Sequence, residues 1–147
     1  MTVVPPSRSR PSTRVALGIL TVMQATIGLW ALLAPAHFFA SFPGLGQVWV
    51  ATLPPYNEHL TRDVGALSLG LTVVGAHAVI SANRSASRVA ALAYLVYTVP
   101  HAVFHAWHLD HLTTGGAVAQ SAGFALQLVL AVVVLVTARR GVRVGLD

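Results

Sequence analysis

The chain has no cysteine and no lysine, and only four of its 147 residues are acidic. Without cysteine there can be no disulfide, no thiolate metal site and no thiol redox chemistry within this chain. The shortage of charge says more. Charged residues make up 9% of the sequence, against about 25% in an ordinary soluble domain. Hydrophobic residues reach 55%, and the mean hydropathy is +0.71. Those proportions are those of a membrane protein, with the lipid bilayer as its first partner. A pI of about 11.2 could suggest nucleic-acid binding. The basic residues are all arginine, however, and all but Arg62 lie in short clusters flanking the apolar segments. No surface remains for a phosphate-tracking patch, so a nucleic-acid partner is not expected. Phosphate-binding G-x-x-x-x-G-K-[ST] loops, G-x-S-x-G elbows and H-E-x-x-H zinc helices are also missing. Arginine without lysine, on an Ala/Val/Gly-rich background, suggests a high-GC bacterial genome.

What is present is a set of four charge-free stretches, roughly Val15–Pro35, Val64–Ala82, Val89–Trp107 and Val118–Ala138. Each is long enough to cross about 30 Å of hydrocarbon as a helix. The expected fold is all-α: a polytopic membrane protein built as a four-transmembrane-helix bundle over residues 15–138. Residues 1–14 read as a disordered N-terminal tail and residues 139–147 as a C-terminal tail. The first stretch resembles a signal sequence at Ala34-Pro35-Ala36, but its apolar run is too long and the proline is awkward for cleavage, so we read it as a retained helix. Four helices are too few for the inverted repeats typical of secondary transporters.

Eight of the nine arginines fall on one side: Arg8, Arg10 and Arg14, then Arg84 and Arg88, then Arg139, Arg140 and Arg143. The positive-inside rule makes that side cytoplasmic, with both termini inside a bacterial plasma membrane. The outer side then holds six of the seven histidines and three of the four acids. It also holds the loop His37–Leu60, rich in Phe, Trp, Pro and Gly, which is expected to cap the bundle mouth.

The candidate site starts on the third stretch. Tyr94, Tyr97, His101, His105 and His108 fall within an arc of about 80° on one helix face. Polar rings facing hydrocarbon would be unsatisfied, so the stripe must face protein, water or a ligand. Histidines at this spacing can converge on a metal or flank a haem. They could equally bond to neighbouring helices, stay wet at the surface, or relay protons. Pro100 lies inside the stripe and removes one backbone hydrogen bond there.

A second group lies at the outer start of helix 2, from Tyr56 to Asp63. Asn57 can cap the helix, and Glu58–Arg62 and His59–Asp63 can pair at i, i+4. Arg62 is the one basic residue outside the cytoplasmic clusters, which suggests pairing with Asp63 or binding an anionic group. Glu58, His59 and Asp63 sit at the depth of His105 and His108. Together with His101 they form a candidate Zn, Cu or Fe environment. Tyr94, Tyr97, His101 and Arg62 are the candidate contacts to a cofactor. His77 on helix 2, and Gln120 and Gln127 on helix 4, read as buried polar groups that bond between helices.

Gly28, Leu33 and Pro35 closing helix 1, followed by Asp63, Gly65 and Gly70 opening helix 2, give a layout that resembles the DoxX-like small four-helix bacterial membrane proteins. The histidine ladder is not part of that pattern. The resemblance implies a link to quinone-coupled redox complexes. The functional expectation is therefore a His/carboxylate site at the extracytoplasmic mouth that binds a metal or redox cofactor within a membrane assembly. The alternative is a non-enzymatic scaffold subunit, in a homo-oligomer or membrane complex, whose polar stripe docks a partner. A third reading is a carrier of protons or a small molecule.

Overall fold

The computed structural model describes residues 8–138. Arg139, Arg140, Arg143 and the rest of the expected C-terminal tail lie outside them, as do the first seven residues. Four long helices are present among the described residues: α1 (Pro11–Leu33), α3 (Glu58–Ser81), α4 (Arg84–Ala106) and α5 (Thr114–Thr137). All four are long and apolar enough to cross a membrane. Each begins four to six residues before its charge-free stretch does, because a helix opens on a polar cap that a search for apolar runs discards. Asn57 Oδ1 accepts from Leu60 N at 3.0 Å, and Asn83 Oδ1 accepts from Ser85 N at 2.7 Å. Thr113 Oγ1 accepts from Gly116 N at 3.1 Å. Pro11 opens α1 at a position where its missing N–H costs nothing.

Of the expected N-terminal tail, residues 8–14 are described, and Pro11–Arg14 form the first turn of α1. Residues 8–10 are tied to the turn between α3 and α4. Ser9 N donates to Ala82 O at 2.6 Å, the Ser9 and Ser87 hydroxyls bond at 2.8 Å, and Arg84 Nε donates to Arg8 O at 2.9 Å. Arg8 and Ser9, which the sequence places in a disordered tail, thus pair with the turn between α3 and α4.

The long helices form a ring in the order α1, α3, α4, α5, with α1 packed most closely along α3. Glycine permits that approach. A Cβ on Gly65 would lie 2.5 Å from Leu32 N, and one on Gly28 would lie 2.9 Å from the Leu69 side chain. The interior is built from small and polar residues, among them Thr13, Ala16, Gln24, Ser68, Ala78 and Ala90. Apart from a few such as Leu17, Leu20 and Val134, the large aliphatic residues point outward: Leu33 is 72% exposed, Val96 76% and Ile80 80%. This distribution is inverted relative to a water-soluble bundle.

Between α1 and α3 the chain forms a short helix α2 (Pro35–Ser41) and a two-residue antiparallel pair, β1 (Pro43–Gly44) with β2 (Gln47–Val48). Pro35 at the first position of α2 ends α1, since it brings no N–H to continue the helical ladder. The segment is anchored by aromatic packing. Trp30 of α1 meets Phe38 and Phe42 edge-on, with ring centroids 5.8 and 5.9 Å away. Trp30 Nε1 also donates to His37 Nδ1 at 2.9 Å.

Candidate functional site: an aromatic cavity with a histidine pair

The end of the bundle where α1 and α4 finish and α3 and α5 begin carries most of the histidines; the opposite end carries Arg8, Arg10, Arg14, Arg84 and Arg88. At the histidine end, α1, α3, α4, α5 and the α1–α3 segment line a partly open cavity of about 370 Å³. Phe38, Phe42 and Trp49 wall it from the segment, Phe104 from α4 and Phe124 from α5. Its polar wall includes Asn57 and Thr61 at the start of α3, Tyr97, His101 and His105 from α4, and Gln120 and Gln127 from α5. Among the described residues, no Asp, Glu or Arg lines it.

His101 and His105 are one helical turn apart, so their rings meet on one face. Their Nε2 atoms are 3.0 Å apart. One must donate and the other accept, so the pair holds a single proton between these two atoms. The rings are kept in register by neighbours. Phe124 lies 5.2 Å from the His101 ring and 5.3 Å from the His105 ring, and Tyr97 meets His101 edge-on at 5.2 Å.

The rest of the five-residue stripe separates from this pair. Tyr94 is fully buried nearer the arginine end, where its hydroxyl bonds to Leu71 O at 3.2 Å and Thr21 Oγ1 at 3.3 Å. It belongs to the packed core with Leu17, Leu20, Ala90 and Val134, and does not line the cavity. His108 lies beyond the end of α4. Its Nδ1 is 2.6 Å from Phe104 O and its ring stacks on Phe104 at 4.2 Å, outside the cavity wall. Helical periodicity placed these residues on one face, but the depth of the cavity along α4 takes in only the middle of the stripe.

The helix 2 group is also placed elsewhere. Asn57, Leu60, Thr61 and Val64 line the cavity; Glu58, His59, Arg62 and Asp63, which alternate with them around α3, do not. His59 bonds to Asp63 at 3.1 Å with its side chain 88% exposed. Arg62 pairs with Glu58 at 2.8 Å, not with Asp63, and its Nη1 donates to Leu32 O. It thus satisfies a carbonyl in the last turn of α1, where helical partners run out. Equal depth did not bring these carboxylates to the histidines, because the helix rotation turns them away. Among the described residues, no three His, Asp or Glu side chains are grouped closely enough to hold a metal. His77, expected to be buried, is exposed on α3.

Sequence reasoning missed two contributors to the site. Phe124 carries no pattern that separates it from a core phenylalanine, although it lies between Gln120 and Gln127 on one face of α5. Trp49 looked like an interfacial aromatic, yet its Nε1 is buried without a hydrogen-bond partner. Away from the cavity, Gln24 is buried in the bundle interior with its amide unpaired. Gln120 was expected to bond to another helix; it is 3% exposed and its Oε1 is unpaired. Comparison of the chain with family models, curated proteins and solved structures gives no match.

Proposed function

We propose that this is a multi-pass protein of a bacterial plasma membrane, with both termini cytoplasmic, that binds an apolar small molecule at its extracytoplasmic end. The cavity is the observation that carries this reading. It has the size of a small-molecule site, apolar walls and a few convergent polar groups. The inverted distribution of side chains supports the membrane setting, since exposed valine and leucine on every long helix match lipid and not water. The arginine clusters support the orientation. Toward the arginine end the interior is closed by Leu17, Leu20, Ala90 and Val134, which favours a binding site over a conducting path. Tyr97, His101 and His105 turn into the cavity, so a scaffold partner docking on that stripe would have to enter it.

The test uses the tryptophan in the wall. In lipid nanodiscs, dibromobenzene should quench tryptophan fluorescence with a saturable component. Gly123 lines the cavity with open space around its Cβ position, so Gly123→Leu should fill the site and remove that component. Quenching that rises linearly and equally in both proteins would overturn the proposal.

One observation favours a second reading, a transition metal or metal cofactor held by the histidine pair. The 3.0 Å between the two Nε2 atoms suits two imidazoles on one ion with bonds of about 2.0–2.1 Å. Its remaining ligands would come from outside the described carboxylates, none of which lines the cavity. Metal analysis and a visible spectrum of purified protein, beside a His101→Ala/His105→Ala variant, test it. Stoichiometric metal lost in the variant would support this reading, and sub-stoichiometric metal unchanged in the variant would exclude it.

A further inference from the structure

The cavity is partly open, and its exposed lining residues locate the opening. Among the described residues, four that line it are exposed: Pro55, Asn57, Leu60 and Phe104. Three lie at or just before the start of α3 and the fourth in the last turn of α4, helices adjacent in the ring. The lining residues of α1 and α5 are all buried or half-buried. The mouth is therefore a gap in one side of the bundle, between α3 and α4 at the histidine end. Pro55 and Asn57 stand at its rim, beyond the helix. Leu60 and Phe104, 59% and 47% exposed, lie within two helices long enough to cross a membrane. In a bilayer that part of the mouth meets hydrocarbon. Inward from it the lining extends from His105 to Tyr97 on α4 and from Gln120 to Gln127 on α5, about 10–12 Å at 1.5 Å per residue. A lipid tail spans about 15 Å, half the hydrocarbon core. The cavity thus matches most of one tail in length and runs in the same direction.

We infer that the cavity takes one acyl tail of a phospholipid from the extracytoplasmic leaflet. The tail enters sideways between Leu60 and Phe104, and the headgroup stays at the interface. A largely apolar space open to the bilayer is filled by the surrounding hydrocarbon, because its lining otherwise loses dispersion contacts. No charged side chain lines the cavity among the described residues. An ionic head would therefore enter without a counter-charge, whereas a tail leaves none unpaired. This inference rests on the membrane setting and on the cavity being a binding site for apolar molecules.

Photolabelling in nanodiscs separates the two claims. The probe is a phosphatidylcholine with a diazirine midway along one tail, and labelled positions are read by peptide mass spectrometry. Labels should appear on the cavity residues Tyr97, His101 and Phe124 as well as on the outward Val96 and Leu126. Gly123→Leu fills the cavity, and Leu60→Glu places a charge in the apolar mouth at an exposed position. Each should lower the cavity labels about tenfold and leave the outward labels unchanged. Labels confined to Val96 and Leu126 in the wild type, with dibromobenzene still quenching saturably, would overturn the lipid tail and leave the cavity reading standing. Cavity labels that persist in Leu60→Glu would overturn entry between α3 and α4. Outward labels alone, with no saturable quenching, would overturn both the tail and the cavity reading.

Discussion

At the scale of single residues, glycine has different roles at different positions, and space decides which. A Cβ on Gly65 would meet the backbone of Leu32 at 2.5 Å, where no side-chain rotation can relieve it. Gly65→Ala should therefore push α1 from α3 and cost about 1–3 kcal/mol. Nothing lies within 4 Å of the Cβ position of Gly70. Gly70→Ala should hold or raise stability by about 0.5–1 kcal/mol, through the lower flexibility of the unfolded helix. Thermal unfolding in one detergent, followed by circular dichroism, should place the two variants on opposite sides of the wild type. The two glycines look alike in sequence, five residues apart in the same apolar stretch. His77 teaches the same lesson in reverse. It reads as a buried bonding group, but the rotation of α3 leaves it on the outside.

Individual elements are held mainly at their ends. α3 begins with Asn57 bonded to Leu60 N, is bridged by Glu58–Arg62, and reaches α1 through Arg62 to Leu32 O. Asn57→Ala should cost about 1 kcal/mol and speed amide hydrogen exchange over residues 58–61, while the middle of α3 is unaffected. Uniform exchange along the helix would mean that the cap does not set its start. These ends were legible in the sequence, because the capping signature and the i, i+4 charge pairs are local. The direction of Arg62 was not legible. Its partners include a carbonyl 30 residues away, and nothing in the spacing of charges near Asp63 identifies it. The same limit applies to the histidine ladder. Its common face followed from the helical period, whereas its division into a core tyrosine, a cavity pair and an outlying His108 depends on what each neighbouring helix presents at that depth.

For the whole molecule, orientation is the simplest consequence to test, and the absence of cysteine makes the test clean. Single cysteines can be introduced into an otherwise thiol-free chain. In intact cells, Asp110→Cys in the turn between α4 and α5 should react with a membrane-impermeant maleimide. Ser85→Cys, in the exposed first turn of α4, should react only after the membrane is permeabilised. The opposite pattern would reverse the orientation read from the arginines.

Composition and hydropathy by themselves determined that the chain is helical, that four of its helices are long and apolar enough to span a bilayer, and which ends gather arginine and histidine. These are properties of contiguous segments, and local chemistry suffices to read them. Only the tertiary structure decided which faces turn inward. In a water-soluble bundle the apolar stripe marks the inner face. Here the surface is as apolar as the core or more so, and that mark is lost. The rotation of each helix is set instead by close glycine contacts and by the aromatic anchors of the α1–α3 segment. Those rotations bring His101, His105, Gln120 and Trp49 to one cavity and turn Glu58, His59 and Asp63 away from it.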